Sequence, residues 1–464
     1  MDDESSGTVV KLLVRGRKRY RIKSYTSEPE KKKIRKVLHE GVLVEILSKL
    51  PAKSVLRFRR VSKEWYALTK TSYFIARHDL HRRSRSAQNH DLLLVSKYLT
   101  NEKPDRLLMM SLHPDDEESN FLPISFLPIP EQITLSRWKI FGCVGSSNGL
   151  VCCHLPIENE NEKENSTTAE VEEEEEGDVE EKDAAPAPAH TDILVVWNPA
   201  TEEFRYLPQP PINPFEKEEG IGIGIGIGIQ RDRHRNYVLG FDFLPEISQY
   251  KVVRVFPAPH PGNDPDSNDD ADGKVAIFQA QVLLQSANSW RDVKDKLEFP
   301  SCKSTCLTCD AITLNGVTYC LVEQTSSEFY LVSFNLRDEV FHLIPLPIEW
   351  RRLTVQYCLH PWNGSAAILT SYSENGDWER VLWVLVQDQE SKKPDWVQQF
   401  RTKSKVFSEL RCVGAWKDQY IVSKRSRNSL FAYDPRSDTK RRLFPHDRIW
   451  FCKGVDYVES LLPV

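Results

Sequence analysis

From about residue 91 almost to its end, the chain reads as one short strand after another, with no helical stretch of similar length between them. The segments "DLLLVSKYL" (from Asp91), "GLVCCHL", "DILVVWN", "QYKVVRVF", "KVAIFQAQVLL", "VTYCLVE", "EFYLVSFN", "ERVLWVLVQ" and "DQYIVSK" are rich in β-branched and aromatic residues and bounded by turn formers. Parallel strands need long crossovers, usually helices, whereas antiparallel ones need only turns. An antiparallel all-β region is therefore predicted, and any βαβ fold is excluded.

Within that region three stretches share one grammar. "NGLVCCH" then "ILVVWNPATEEFRYLPQP" parallels "NGVTYCLVE" then "FYLVSFNLRDEVFHLIPLP", and again "DQYIVSK" then "LFAYDPRSDTKRRLFP". Asn148-Gly149 and Asn315-Gly316 supply the positive φ of tight hairpins, and "NPAT" and "DPRS" place Pro where a turn starts. A period of about 45–50 residues with four strands each is that of a propeller blade, and about six would fit.

Ahead of the strands, residues 37–84 carry a helical period. Val42, Leu43, Ile46, Leu47 and Leu50 recur at spacings of three and four before Pro51 interrupts the backbone. In "LPAKSVLRFRRVSKEW", Ser54 reads as an N-cap, and Val55, Phe58, Val61, Ser62 and Trp65 read as one stripe of a second helix. Arg57, Arg59, Arg60 and Lys63 fall around the rest as a solvated rim. Two or three helices in so few residues bury little, so the module needs a partner over its remaining apolar face. The expected fold class is thus α+β multidomain: a small all-α module, then an all-β propeller-like domain over residues 90–460.

The net charge of −5 hides two opposed blocks. Residues 1–36 form a basic arm ("RGRKRYRIK", "KKKIRK"), open to reading as an import signal, a nucleic-acid arm or a solvated tail. Residues 158–189 are acidic and of low complexity, "EVEEEEEGDVEEKD" among them, and cannot bury enough apolar surface to order themselves. Ten cysteines without a signal-like leader point to a reducing compartment, the nucleus or cytoplasm. No run of about eighteen apolar residues predicts a membrane span.

Several lures fail on mechanism. "EGIGIGIGIGIQ" (Glu219 to Gln230) alternates with the period of a strand and lacks the helix start that a phosphate loop requires. Cys302, Cys306, Cys309 and Cys320 lack the paired spacing of a zinc site, and Cys320 lies inside an apolar strand. His154, His342 and His360 have no paired acid, and neither a G-x-S-x-G elbow nor H-E-x-x-H occurs. No catalytic residue, cofactor or metal is expected. An enzyme on a kelch-like propeller is the alternative, and nucleic-acid binding through the arm is disfavoured because the second helix carries bulky apolar residues.

The run from Leu38 to Leu80 closely resembles the F-box, the helical module that docks substrate receptors onto a Skp-family adaptor. Leu38, Val42, Ile46, Leu47, Leu50 with Pro51, the run "AKSVLRFRRVSKEW" and Phe74 carry the match, and His39 stands where the family usually has Pro. "VGSSNGLVCCH", "VVWNPATEEFRYLP", "LGFDFLPEISQYKVVRV" and "LNGVTYCLV" resemble the plant F-box-associated domain, with Cys320 where that family often has Trp. The resemblance implies a non-catalytic receptor of a Skp-cullin-F-box ubiquitin ligase. It would bind the adaptor through Leu38, Val42, Ile46, Leu47, Leu50, Pro51, Val55, Phe58, Val61 and Trp65, reach a cullin and a RING subunit through it, and hold a protein target on the β domain.

Overall fold

The computed structural model describes residues 39–86, 91–98, 106–112, 142–156, 192–211, 237–259, 276–299, 306–325, 328–347, 354–374, 377–387, 393–403, 410–416, 419–424, 430–444 and 449–464. The basic arm, Leu38, the acidic segment 158–189, the Ile-Gly run, "PGNDPDSNDDADG" and Cys302 lie outside them. No described helix is long and apolar enough to cross a membrane.

Four helices come first: α1 (Glu40–Leu47), α2 (Ala52–Phe58), α3 (Lys63–Lys70) and α4 (Ser72–Ser86). Pro51, at φ −56° and ψ 147°, occupies the cap position of α2, so Ser54 lies inside that helix and does not cap it. The expected single helix through Trp65 is also broken. Ser62 is fully extended (φ −156°, ψ 162°), and its hydroxyl accepts a bond from the Trp65 amide at 3.1 Å, so the chain restarts there as α3. The break separates the predicted stripe: Val61 turns to solvent, whereas Trp65 enters the core.

That core consists of Leu43, Val44, Leu47, Ala52, Val55, Trp65, Leu68 and Phe74, with Phe58 edge-on to Trp65 at 5.6 Å. Each large side chain contributes about 2 kcal/mol by leaving water. Arg59 is not part of a solvated rim. Its guanidinium is half-buried and donates to the Thr69 hydroxyl (3.2 Å) and carbonyl (3.1 Å), tying the end of α2 to α3.

Strands β1 (Asp91–Tyr98) and β2 (Arg106–Leu112) follow. The first complete blade is β3 (Gly142–Ser147), β4 (Leu150–Pro156), β5 (Asp192–Asn198) and β6 (Glu203–Tyr206). The second is β7 (Val238–Leu244), β8 (Gln249–Pro259), β9 (Ala276–Leu284) and β10 (Arg291–Asp292), with β11 (Leu297–Phe299) also on β9. The third is β12 (Cys306–Leu314), β13 (Val317–Thr325), β14 (Glu328–Asn335) and β15 (Val340–Pro345). The fourth is β16 (Thr354–Trp362), β17 (Ser365–Glu374), β18 (Asp377–Gln387) and β19 (Pro394–Lys403). The fifth is β20 (Leu410–Trp416), β21 (Gln419–Lys424), β22 (Leu430–Asp434) and β23 (Thr439–Phe444).

These are five sheets of four or more strands, and a sixth of three closes the ring. Strand β24 (Ile449–Tyr457) pairs antiparallel with β1, from Asp91 opposite Tyr457, and β2 follows outside. The first strand of each complete blade lies beside that of the next, and β24 sits between β20 and β3. The region is a β-propeller, as the turn grammar predicts.

The shared words of the sequence are the second, third and fourth strands of blades one, three and five. Asn148-Gly149, Asn315-Gly316 and also Asn363-Gly364 take left-handed φ between 48° and 81° in their hairpins. The Pro that ends a blade has its own use. Trp290 of blade two donates its indole N–H to the Pro208 carbonyl of blade one at 2.8 Å, and Trp396 of blade four does the same to Pro345 of blade three at 2.9 Å.

Candidate protein-docking surface

Among the described residues, large apolar side chains that remain exposed are concentrated on the helices. Six of the ten are Val42, Ile46, Val61, Tyr66, Tyr73 and Leu80; the propeller exposes only Tyr206, Ile247, Leu343 and Val397, widely separated in sequence. Val42 and Ile46 are 45% and 48% exposed and lie one turn apart on α1, while Tyr73 and Leu80 lie two turns apart on one face of α4. Between them Glu45 of α1 bonds Lys49 at 2.7 Å and Arg77 of α4 at 2.9 Å, which holds its carboxyl down to about 2. Arg77 lies on the same face of α4 as Tyr73 and Leu80, so the ion pair ties that face to α1.

The residues singled out from the sequence divide into three sets. Val42, Ile46, Pro51 and Val61 are exposed; Leu50 and Phe58 are half-buried; Leu47, Val55 and Trp65 are buried in the helical core. A partner can touch the first set directly, whereas the buried set shapes the surface from behind. Tyr73 and Leu80 were missed by the sequence reading, although the seven-residue spacing was there to be found.

His39 keeps what a proline would supply. Its φ is −62°, and its ring Nδ1 accepts a bond from the Gly41 amide at 3.2 Å, capping α1. His78 of α4 is buried, and its Nε2–H donates to the Leu50 carbonyl at 2.9 Å, bracing the bend at Pro51. Burial, above all, pushes the His78 imidazole below its usual value.

The histidines and the cysteine singled out from the sequence lie apart among the described residues of the propeller. His154 and His360 are buried in different blades, the former near the Tyr237 hydroxyl at 3.5 Å and the latter on the Cys358 carbonyl at 3.2 Å, and His342 is exposed. Cys320 is a core residue of β13, its thiol pushed up to about 12 by burial. Among the described residues no group of three or more His, Cys, Asp or Glu is placed to hold a metal ion.

Family comparison agrees with both regions. Residues 38–77 match the F-box domain, and residues 100–444, most of the chain, match the F-box associated beta propeller domain. The chain belongs to the F-box associated beta propeller family. It carries an F-box ahead of that domain, and its relatives are plant proteins. A putative F-box protein of Arabidopsis thaliana is 24% identical over 86% of this chain and 82% of its own length. A putative F-box/kelch-repeat protein of the same plant is 23% identical over 66% of this chain and 58% of its own. Among solved structures, the beta-propeller domain of the Trilobed protease from Pyrococcus furiosus aligns at 10% identity with a TM-score of 0.32, covering 67% of this chain and 72% of that one. An F-box joined to such a propeller suggests a substrate-adaptor role.

The F-box sits on one particular face of the propeller. Antiparallel strands alternate in direction, so the β3–β4 and β5–β6 turns emerge on one face and the β4–β5 connection on the other. Arg82 of α4 donates to the Asn148 side chain in the β3–β4 turn at 3.1 Å, and Ala200 of the β5–β6 turn packs within the helical cluster. The helices therefore sit against the tight-turn side of the first blade. Strands bordering residues 157–191 and 260–275 end on the opposite face.

Proposed function

We propose that this chain is the substrate-recognition subunit of a Skp-cullin-F-box ubiquitin ligase. Its F-box docks on a Skp-family adaptor and through it on a cullin and a RING subunit, while the propeller holds a protein target. The observation that carries this reading is the exposed pair Val42 and Ile46, with Val61, Tyr66, Tyr73 and Leu80, on a module otherwise too small to leave apolar surface in water without a partner. The chain breaks no bond. Holding the target's lysines near a ubiquitin-charged enzyme raises their effective concentration, and that is its contribution to rate.

The target is assigned to the propeller face away from the helices, where the longer connections leave the strands and where an adaptor on the F-box does not obstruct it. The work is done in the nucleus or cytoplasm, with the basic arm 1–36 as the import segment. A reporter carrying that arm should accumulate in nuclei; exclusion would remove the import role.

Adaptor binding is tested by titrating a purified Skp-family adaptor into the full chain. Saturable binding that Ile46→Glu weakens by roughly thirtyfold, with the propeller's melting unchanged, is the expected result. A wild-type chain that retains no adaptor overturns the reading.

A further inference from the structure

The helical core is not completed by helices alone. Leu461, 3% exposed, belongs to the same cluster as Val55, Trp65 and Phe74, whereas its neighbours Leu462 and Val464 pack against the cluster shared by blades one and two. Successive residues of one segment thus pack into two different cores. The segment runs past the β3–β4 turn so closely that a Cβ on Gly149 would lie 2.5 Å from the Val458 carbonyl and 2.9 Å from the Ser460 amide. Arg82 of α4 donates to the Val458 carbonyl at 3.3 Å, and Lys53 of α2 pairs with Glu459 at 2.9 Å.

One side chain clamps this segment from the propeller. Asn198 is fully buried, and its amide nitrogen donates to the carbonyls of Ser460 at 3.1 Å and Leu462 at 2.7 Å. Its oxygen meanwhile accepts from the Ala200 and Thr201 amides, closing the β5–β6 turn. Asn335 and Asp434 occupy the same turn position in blades three and five, and there too the side-chain oxygen accepts from the amide two residues on, at 2.8 Å in each. Asp434 proves that the turn itself is satisfied by a carboxylate. At Asn335 the amide nitrogen donates to the Asp338 side chain within its own exposed turn, at 3.0 Å, whereas at position 198 it holds a distant segment of the chain.

We propose that Asn198 and residues 458–464 form a wedge that locks the F-box helices onto the propeller, so that the adaptor-facing and target-facing surfaces keep one fixed orientation. The consequence rests on the receptor reading above, but the lock itself is a property of the free chain. Asn198 is a positioning residue: it touches neither adaptor nor target, and acts through the carbonyls it holds.

The decisive substitution is Asn198→Asp, which keeps the oxygen that accepts both turn bonds and replaces the two donor bonds with a carboxylate oxygen facing two carbonyls. The control is Asn335→Asp, the same change at the equivalent turn, where the donor bond lost is the local one to the exposed Asp338 carboxylate and no wedge is involved. Amide hydrogen exchange on the full chain, with and without adaptor, is the readout. Exchange in α2 to α4 and in residues 458–464 should rise by about tenfold or more in Asn198→Asp, given the usual worth of one buried bond. Blades four and five should keep wild-type protection, Asn335→Asp should raise exchange only in its own β14–β15 turn and leave the helices and residues 458–464 as in wild type, and adaptor affinity should be unchanged. Equal exchange in the two variants overturns the proposal, and so does a rise spread uniformly over all blades. If the wild-type chain bound no adaptor, the receptor reading would fall while the exchange comparison still decided the lock.

Discussion

The F-box and the propeller solve the same physical problem in opposite ways. The propeller closes on itself: its ring is completed by pairing β1 with β24, and polar side chains at some blade junctions bond across them. Asp242 of β7 is the clearest case, accepting from the Ser147 hydroxyl of β3, from the Gly316 amide of the third blade and from its own neighbour Phe243 at 2.8 Å. The F-box instead leaves Ile46 and Tyr73 in water and borrows Ala200 and Leu461 from the propeller to complete its core. The apolar side chains left exposed are thus concentrated on the region proposed to take a partner.

The largest effect should come from breaking the self-sufficient side. Asp242→Ala would leave the Ser147 hydroxyl and the Gly316 amide without their acceptor, while the Phe243 amide keeps the Ser147 oxygen at 3.1 Å; at about 1–3 kcal/mol for each unpaired donor, a loss of about 3 kcal/mol is expected in chemical denaturation. Asp242→Asn, which keeps an acceptor oxygen, should lose less. If alanine costs no more than a surface change, the junction is not held by that carboxylate.

Next in size is a paired test of what exposure means in each region. Ile46 and Ile247 are 48% and 47% exposed, one on α1 and the other in the β7–β8 turn. Ile46→Glu should weaken adaptor binding by about 2 kcal/mol, roughly thirtyfold, as expected for an anchor residue. Ile247→Glu should change it by nothing measurable, and both should leave stability within about 0.5 kcal/mol of wild type. Equal effects in calorimetry would mean that the apolar concentration on the helices has no bearing on docking.

A smaller effect is expected at the helix break. Ser62→Ala removes the cap of α3 and should cost about 1 kcal/mol, seen as faster exchange at Trp65 and Tyr66 with β16 to β19 untouched.

Legibility in the sequence follows the same division. Period-two alternation and Asn-Gly turns act over a few residues, so the strands of blades one, three and five could be read from their own text. The sixth sheet could not, because Asp91 and Tyr457 are joined only when the ring closes and no local pattern announces it. On the helical side the apolar positions were legible but not their direction. Val55, Phe58, Val61 and Trp65 have a helical spacing that survives the turn at Ser62, so the pattern continues while the backbone does not. Arg59 and Asn198 were invisible as ties, since what gives each its role is a partner brought close by the fold, Thr69 for one and the Ser460 carbonyl for the other.

The finest test uses acid to set the two regions against each other. Burial pushes the His78 imidazole down, so between its folded value and the usual 6.5 the unfolded chain takes up a proton that the folded chain refuses. The stability this gives is complete above pH 6.5 and is lost as pH falls through the folded value. Asp242 has the opposite sign. Burial raises its carboxyl above the usual 3.8 despite three donors, so its contribution is complete below that value and declines as pH rises through the folded one. Lowering the pH from 7 toward 5 should therefore loosen the F-box before the propeller, read as exchange rising first at α4 and around Leu50 with Asp242's blade junction still protected. His78→Gln, whose amide can still donate to Leu50 but cannot titrate, should flatten that response while preserving the bend at Pro51. A response that persists in His78→Gln would assign the acid sensitivity to some other group and leave His78 as a brace alone.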